Sequence, residues 1–201
     1  MMHERKMMRT GKRMLLLAAW VAGLAGGTGF MMQEAGACTR ILYVGDRNMV
    51  ATGRNMDWNE DMMSNLWVFP RGIRRNGLAG PNSLDWQSRY GSVIVSGYEA
   101  GSTDGMNEKG FVANLLFLAE SDYGKPPENA KVLSLSLWLQ YFLDNYATVD
   151  EAVRAQRQNP LHLISSKPIP NGKKSKVHLS ISDATGDSAI FEYIDGNLVI
   201  H

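Results

Sequence analysis

The chain has 201 residues, 44% of them hydrophobic and 20% charged, and its formal net charge at pH 7 is +1. This composition is typical of a globular protein with one core and excludes a disordered or collagen-like chain. The balanced charge, with no basic run beyond Lys173, Lys174 and Lys176, argues against a nucleic-acid partner.

Residues 1–37 are predicted to be a secretory signal peptide. Basic side chains cluster in residues 5–13, an apolar run follows over residues 14–30, and Ala35-Gly36-Ala37 has the small-x-small pattern that signal peptidase cleaves. Several glycines dilute the apolar run, which makes it a poor permanent membrane span. We expect a periplasmic or secreted mature domain, residues 38–201, with no stable membrane association after leader removal.

Two other interpretations of this leader stay open. The apolar run could remain as an uncleaved N-terminal anchor. A lipoprotein signal would also place a cysteine after a small residue, as Cys38 follows Ala37. Lipoprotein signals usually carry leucine three residues before the cysteine, where this chain has Ala35, so the lipoprotein interpretation is less favoured.

The first half of the mature chain is predicted to be β-rich. Alternating or β-branched runs bounded by turn residues predict strands over residues 41–44, 50–52, 66–69 and 92–96. Asp104-Gly105 and Glu108-Lys109-Gly110 predict a turn that leads into a strand over residues 111–117. For residues 104–107 we favour this structural role over a catalytic one.

Two helices and three more strands are predicted in the second half. Apolar residues at helical spacing predict a helix over residues 129–145, and Thr148 with Glu151 forms a capping-box pattern for a second helix that ends near Gln158. After a loop over residues 168–172, three strands are predicted over residues 177–182, 189–194 and 198–200.

Cys38 is the single cysteine of the chain, which excludes an internal disulfide or a multi-cysteine metal site held by this chain alone. Cleavage after Ala37 would put a thiol and a free α-amine on this one residue. An α-amine titrates at about 7.7–8.0 and can therefore serve as the base for a nucleophilic thiol. The alternative is that a lone cysteine follows the cleavage site by accident.

Arg54 and Asp57 are the candidate partners of this thiol. A permanent cation such as Arg54 favours a thiolate, and Asp57 could hold the terminal ammonium. In a continuous strand, side chains three positions apart point to opposite faces, so a shared site requires a turn near Asn55. A surface salt bridge in a turn is the alternative.

The motifs Cys38-Thr39-Arg40, Gly53-Arg54-Asn55-Met56-Asp57-Trp58 and Asp104-Gly105-Met106-Asn107-Glu108-Lys109-Gly110 occur in this order along the chain. Together they resemble the choloylglycine hydrolase and penicillin V acylase family of N-terminal nucleophile hydrolases. Residues 113–121 are similar to the branch of that family found in Gram-negative bacteria. The resemblance implies that Cys38 is the nucleophile, that Arg54 lies beside the thiol and that Asp57 holds the terminal amine.

The resemblance also implies an α+β, four-layer αββα fold, of which only the N-terminal portion is present. The family's next oxyanion position falls near Leu116 or Phe117, with Asn114 as a nearby polar candidate. A further oxyanion asparagine and a further arginine would lie beyond His201. If the chain ends there, we expect an exposed apolar face and either instability or pairing with another chain, which leaves a homo-oligomer open.

The sequence thus favours an exported cysteine amidase that hydrolyses a small-molecule linear amide of the conjugated bile salt, penicillin V or N-acyl homoserine lactone type. A truncated, catalytically inactive remnant of the family is the alternative. No cofactor or metal is expected, because His3, His162, His178 and His201 lack the spacing of metal ligands. A Cys38–His178 pair of the papain kind remains open but less favoured.

Overall fold

The computed structural model describes residues 38–58, 60–165, 172 and 174–201. The predicted leader and residues 168–171 of the predicted loop lie outside this range. The described residues contain thirteen strands, namely β1 Thr39–Val44, β2 Val50–Asn55, β3 Leu66–Phe69, β4 Arg74–Asn76, β5 Asp85–Gln87, β6 Ser92–Gly97, β7 Gly101–Asn107, β8 Val112–Phe117, β9 Val132–Ser134, β10 His162–Ile164, β11 Val177–Ser182, β12 Ser188–Ile194 and β13 Asn197–Ile200. The same residues contain the α-helices α1 Trp138–Asn145 and α2 Val149–Gln158.

Seven strands form an antiparallel sheet in the order β13-β12-β11-β8-β7-β6-β3. Because side chains alternate along a strand, one face of this sheet is apolar and the other is mixed. On the apolar face, Ile181 pairs with Ala113 and Ala189, and all three are buried. On the opposite face, Ser180 pairs with Asn114.

Helices α1 and α2 cover the apolar face and form the core with it. Trp138, Leu139, Phe142 and Leu143 of α1 are buried at helical spacing. The predicted N-terminal cap of α2 is confirmed, since the Thr148 hydroxyl accepts the backbone N–H of the third helical residue at 3.2 Å. Within the described range, no helix is long and apolar enough to cross a membrane.

The β1–β2 hairpin lies on the other, mixed face of the sheet. Thr52 Oγ1 is 2.8 Å from Ser182 Oγ, and Arg40 Nε donates to Asn114 Oδ1 at 2.9 Å. Helices, seven-stranded sheet and hairpin are therefore three successive layers, in the order that the αββα prediction requires. The α+β class is confirmed.

Part of the mixed face lies beyond the hairpin and is both apolar and exposed. Leu66 and Val68 are each 74% exposed, Met106 is 52% exposed and Val93 is 43% exposed. Val68, Val93 and Met106 are cross-strand neighbours in register, so they form one patch. Instability and pairing with another chain stay predictions.

The predicted helix over residues 129–145 is wrong for its first half. Residues Val132–Ser134 form β9, which pairs in parallel with β10, and a 3-10 turn over Leu135–Leu137 separates it from α1. Leu133 is fully buried in this small sheet. The tertiary pairing with a strand about 30 residues away overrides the local helical spacing.

Asp104-Gly105 is likewise not a turn, because both residues lie inside β7. A side chain at Gly105 would come within 2.6 Å of Leu143 Cδ1 and 2.7 Å of Ile94 Cγ2. The glycine therefore lets α1 approach the sheet closely. The turn predicted at Glu108-Lys109-Gly110 is present, and Gly110 has a φ of 77° before β8.

Asp144 on α1 ties the β4–β5 hairpin to the core. Its carboxylate is fully buried and accepts hydrogen bonds from Arg75 Nε and Trp86 Nε1, each at 2.7 Å, and from Gln140 Nε2 at 2.8 Å. Burial raises the pKa of Asp144, and the hydrogen bond from Trp86 and the charge of Arg75 oppose this shift.

Replacing Asp144 by alanine is expected to lower the free energy of unfolding by about 3–5 kcal/mol, because the buried Arg75 guanidinium loses its counter-charge. Urea unfolding measures this change. Asp144→Asn keeps acceptors for Trp86 and should cost less. Equal stability of wild type and Asp144→Ala would contradict the proposed anchoring role.

Candidate active site

Cys38 lines a cavity of about 460 Å³ at the end of the β1–β2 hairpin. The residues of the cavity wall are mainly apolar, and several serines also line it. The apolar side chains include Met56, Trp58, Met62, Leu115, Phe117 and Leu135, and the serines include Ser134, Ser136, Ser165 and Ser175. A cavity of this kind fits an apolar group attached to a polar link.

The pairing of β1 with β2 positions Cys38. Thr39 pairs with Asn55, and the Thr39 backbone N–H donates to Asn55 Oδ1 at 2.7 Å. Cys38 is therefore beside Met56, at the open end of the hairpin and next to the Arg54–Asp57 segment. Cys38 is a free cysteine of intermediate exposure that lines the cavity, so a reactant in the cavity can contact this residue.

Arg54 points from β2 toward the seven-stranded sheet. Its guanidinium donates to the Leu115 carbonyl, and its Nε is 3.1 Å from Asp104 Oδ1. The Arg54 and Asp104 side chains are only 10% and 16% exposed. This ion pair fixes the cation inside the layer between hairpin and sheet. The sequence did not indicate this partner, because Asp104 was expected to lie in a turn.

Asp57 lies just beyond the end of β2 and is exposed. Its two carboxylate oxygens are each 3.3 Å from Asn55 Nδ2. The chain leaves the strand after Asn55, as a shared site requires. The structure thus brings Cys38, Arg54 and Asp57 to one end of the hairpin, with Arg54 turned inward and Asp57 turned toward solvent.

The other polar candidates take different positions. Asn114 bridges the two layers, since it accepts from Arg40 and donates to Asp104 Oδ1 at 2.8 Å. Phe117 lines the cavity, whereas Leu116 pairs with His178 on the hairpin-facing side of the sheet. His178 Nδ1 is 4.0 Å from Glu192 Oε1, and burial lowers the pKa of this histidine.

Comparison with known proteins identifies the family. Residues 38–201, the whole predicted mature chain, match the model of a protein family described as "Linear amide C-N hydrolases, choloylglycine hydrolase family". The chain belongs to this family of linear amide hydrolases. The resemblance that the three sequence motifs carry is therefore confirmed.

Individual relatives agree with this assignment. The penicillin V acylase of Pectobacterium atrosepticum is 49% identical over 174 residues, which cover 82% of this chain and 46% of that protein. The structure of the penicillin V acylase from Agrobacterium tumefaciens is 53% identical with a TM-score of 0.74, covering 81% of this chain and 48% of the other. This choloylglycine hydrolase family member thus spans about half the length of these relatives.

A more distant structure supports the fold alone. A mutant of the conjugated bile acid hydrolase from Clostridium perfringens is 22% identical, with a TM-score of 0.67 over 82% of this chain and 50% of the other. The likeness confirms the expected N-terminal portion of the αββα fold.

The main feature of the site that the sequence did not reveal is the cavity wall. Met62, Tyr98 and Phe117 contribute to it from separate elements. Among the tryptophans, Trp58 lines the cavity and Trp138 is a core residue, 1% exposed. The position of Trp58 directly after the Asp57 motif was the available signal, although such residues more often serve core packing.

Proposed function

We propose that this protein is an exported cysteine amidase that hydrolyses the side-chain amide of penicillin V-like molecules. The observation that carries the proposal is a free, partly exposed cysteine, Cys38, in the wall of an apolar cavity and directly after the predicted leader. Removal of residues 1–37 makes Cys38 the N-terminal residue in the periplasm or outside the cell.

In the first step, the Cys38 thiolate attacks the amide carbonyl and a C–S bond forms. The α-amine of Cys38 takes the thiol proton and, as an ammonium, returns it to the leaving nitrogen when the C–N bond breaks. The product amine departs and a thioester remains. Water then attacks the thioester, the α-amine accepts its proton, and the free acid and thiol are restored.

Arg54 and Asp57 support this chemistry in different ways. The buried cation of Arg54, fixed by Asp104 and the Leu115 carbonyl, stabilises negative charge near the thiolate. Asp57 accepts a hydrogen bond from the terminal ammonium and keeps the amine oriented toward the thiol. This role requires the carboxylate to turn from Asn55 toward the new N-terminus after cleavage.

The choice of substrate rests on the relatives and on the cavity. Two relatives near 50% identity are penicillin V acylases. The apolar wall around Cys38 suits an aromatic or alkyl acyl group, and the serine hydroxyls suit oxygen atoms near the amide. Conjugated bile salts and N-acyl homoserine lactones carry the same type of linear amide and are the substrates to compare.

The test is acyl transfer to Cys38. Protein that begins at Cys38 is mixed with penicillin V, and release of the free amine is followed by chromatography while quenched samples are weighed by mass spectrometry. We expect product release and a transient mass increase of one phenoxyacetyl group on the peptide that contains Cys38. Acylation elsewhere in the chain would overturn the proposal. Absence of both product and acylated Cys38 with all three amide classes would also overturn the proposal.

A further inference from the structure

The turn between β6 and β7 forms part of the cavity wall and has an unusual backbone. Tyr98 and Glu99 both adopt left-handed conformations, with φ values of 55° and 52°. This region favours glycine, and a bulky residue adopts it only when other contacts hold it there. Gly97, Tyr98 and Gly101 of this turn line the cavity that contains Cys38.

Tyr98 holds the segment that follows β2 through several contacts. Trp58 Nε1 donates to the Tyr98 hydroxyl at 2.6 Å, and that hydroxyl donates to the Glu60 carboxylate. The Tyr98 backbone N–H donates to the Met62 carbonyl at 2.7 Å. One residue therefore fixes the positions of Trp58, Glu60 and Met62.

Two of these held residues form the cavity wall together with Tyr98. Trp58 and Met62 line the same cavity as Cys38. The Met62 side chain also packs closely on the turn, since a Cβ at Gly97 would come within 2.7 Å of Met62 Cε. Displacement of Trp58 would therefore widen the route to the thiol.

We infer that Tyr98 is a specificity-determining residue, whose hydroxyl locks Trp58 in the cavity wall and so limits the bulk of the acyl group that reaches Cys38. The inference rests on the proposed function for its substrate, an N-acyl amide. The structural part of the inference is that a single hydroxyl controls access to the Cys38 thiol. Rates of thiol modification measure this access without any substrate turnover.

The turn between β6 and β7 is held in place by Glu99, independently of the Tyr98 hydroxyl. The Glu99 carboxylate accepts from Asn65 Nδ2 at 2.6 Å, Ser96 Oγ at 2.8 Å and Trp67 Nε1 at 3.1 Å. Loss of the Tyr98 hydroxyl should therefore release Trp58 while the turn keeps its place. A tyrosine hydroxyl is protonated at neutral pH, and burial and the hydrogen bond to Glu60 raise the pKa of Tyr98 further.

The test compares two thiol reagents of different size on protein that begins at Cys38. Iodoacetamide is small, and pyrene maleimide is bulky. In Tyr98→Phe we expect the rate with pyrene maleimide, relative to that with iodoacetamide, to rise about fivefold, the factor for loss of one ordinary hydrogen bond. Tyr90→Phe is the matched control, because Tyr90 is only partly buried and its ring contacts the Arg89 guanidinium rather than the cavity.

A second substitution makes the result specific to Trp58. Trp58→Phe should raise the same ratio, and adding Tyr98→Phe to it should raise it no further, since the shared hydrogen bond is already lost. Urea unfolding establishes that each variant is folded. An unchanged ratio in Tyr98→Phe, or additive effects in the double variant, would overturn the inference.

Failure of the proposed function gives a different result. If penicillin V is not hydrolysed but the reagent ratio rises in Tyr98→Phe, the amidase proposal fails and the access role of Tyr98 stands. If penicillin V is hydrolysed and the ratio is unchanged, the amidase proposal stands and the access role of Tyr98 fails.

Discussion

Replacing Cys38 by serine is expected to lower kcat for penicillin V hydrolysis by about 10⁴-fold or more, the scale on which hydrolases lose activity without their nucleophile. A serine hydroxyl is a much weaker nucleophile than a thiol when the base is an amine with a pKa of about 7.7–8.0. The measurement is product release under substrate saturation, with the N-terminus of each protein established by intact mass.

Cys38→Ala provides the matched comparison, because it removes the nucleophile and keeps the terminal amine. Both variants should retain the stability of the wild type in urea, since Cys38 lies at the open end of the hairpin with only partial burial. Full activity in Cys38→Ser would exclude the thioester mechanism and require a different nucleophile in the cavity.

Blocking the N-terminal amine of Cys38 is expected to abolish turnover to a similar extent. In protein that retains residues 1–37, the nitrogen of Cys38 belongs to a peptide bond and cannot accept a proton. General base catalysis typically contributes about 10²–10⁴-fold, and a second loss follows because the leaving amine no longer receives a proton. Protein with one extra glycine before Cys38 separates these losses from any steric effect of the leader.

The control for this comparison is thiol alkylation. Iodoacetamide should modify Cys38 in both the glycine-extended and the processed protein, which would establish that the cavity is intact in both. Equal hydrolysis of penicillin V by the two forms would contradict the role of the terminal amine. The role of the thiol would then be tested by the Cys38→Ser variant alone.

Local sequence patterns determined most of the strands in the large sheet. The predicted strand over Val177–Ser182 matches its bounds in the structure, as does Leu66–Phe69. These segments alternate apolar and polar residues or are bounded by strong turn signals. The Thr148 cap could also be predicted, because capping depends on residues within one turn of the helix.

The candidate site was predictable only in part. Cys38, Arg54 and Asp57 follow from the cleavage pattern and from the motif after the first hairpin, and the structure brings all three to one end of that hairpin. Their catalytic roles remain predictions. The partner of Arg54 was not predictable, because Asp104 approaches it across layers from a strand 50 residues away in the sequence.

The sequence by itself determined the family, the positions of most strands along the chain and the cysteine on which the proposed chemistry depends. Each of these is encoded by short stretches of neighbouring residues. Only the tertiary structure decided that residues Val132–Ser134 are a strand, that Asp104 pairs with Arg54 and that Tyr98 holds Trp58. These features depend on contacts between segments that are distant in the sequence. An apolar side chain favours burial and a polar side chain favours a hydrogen bond, but neither preference specifies which distant segment will supply the contact.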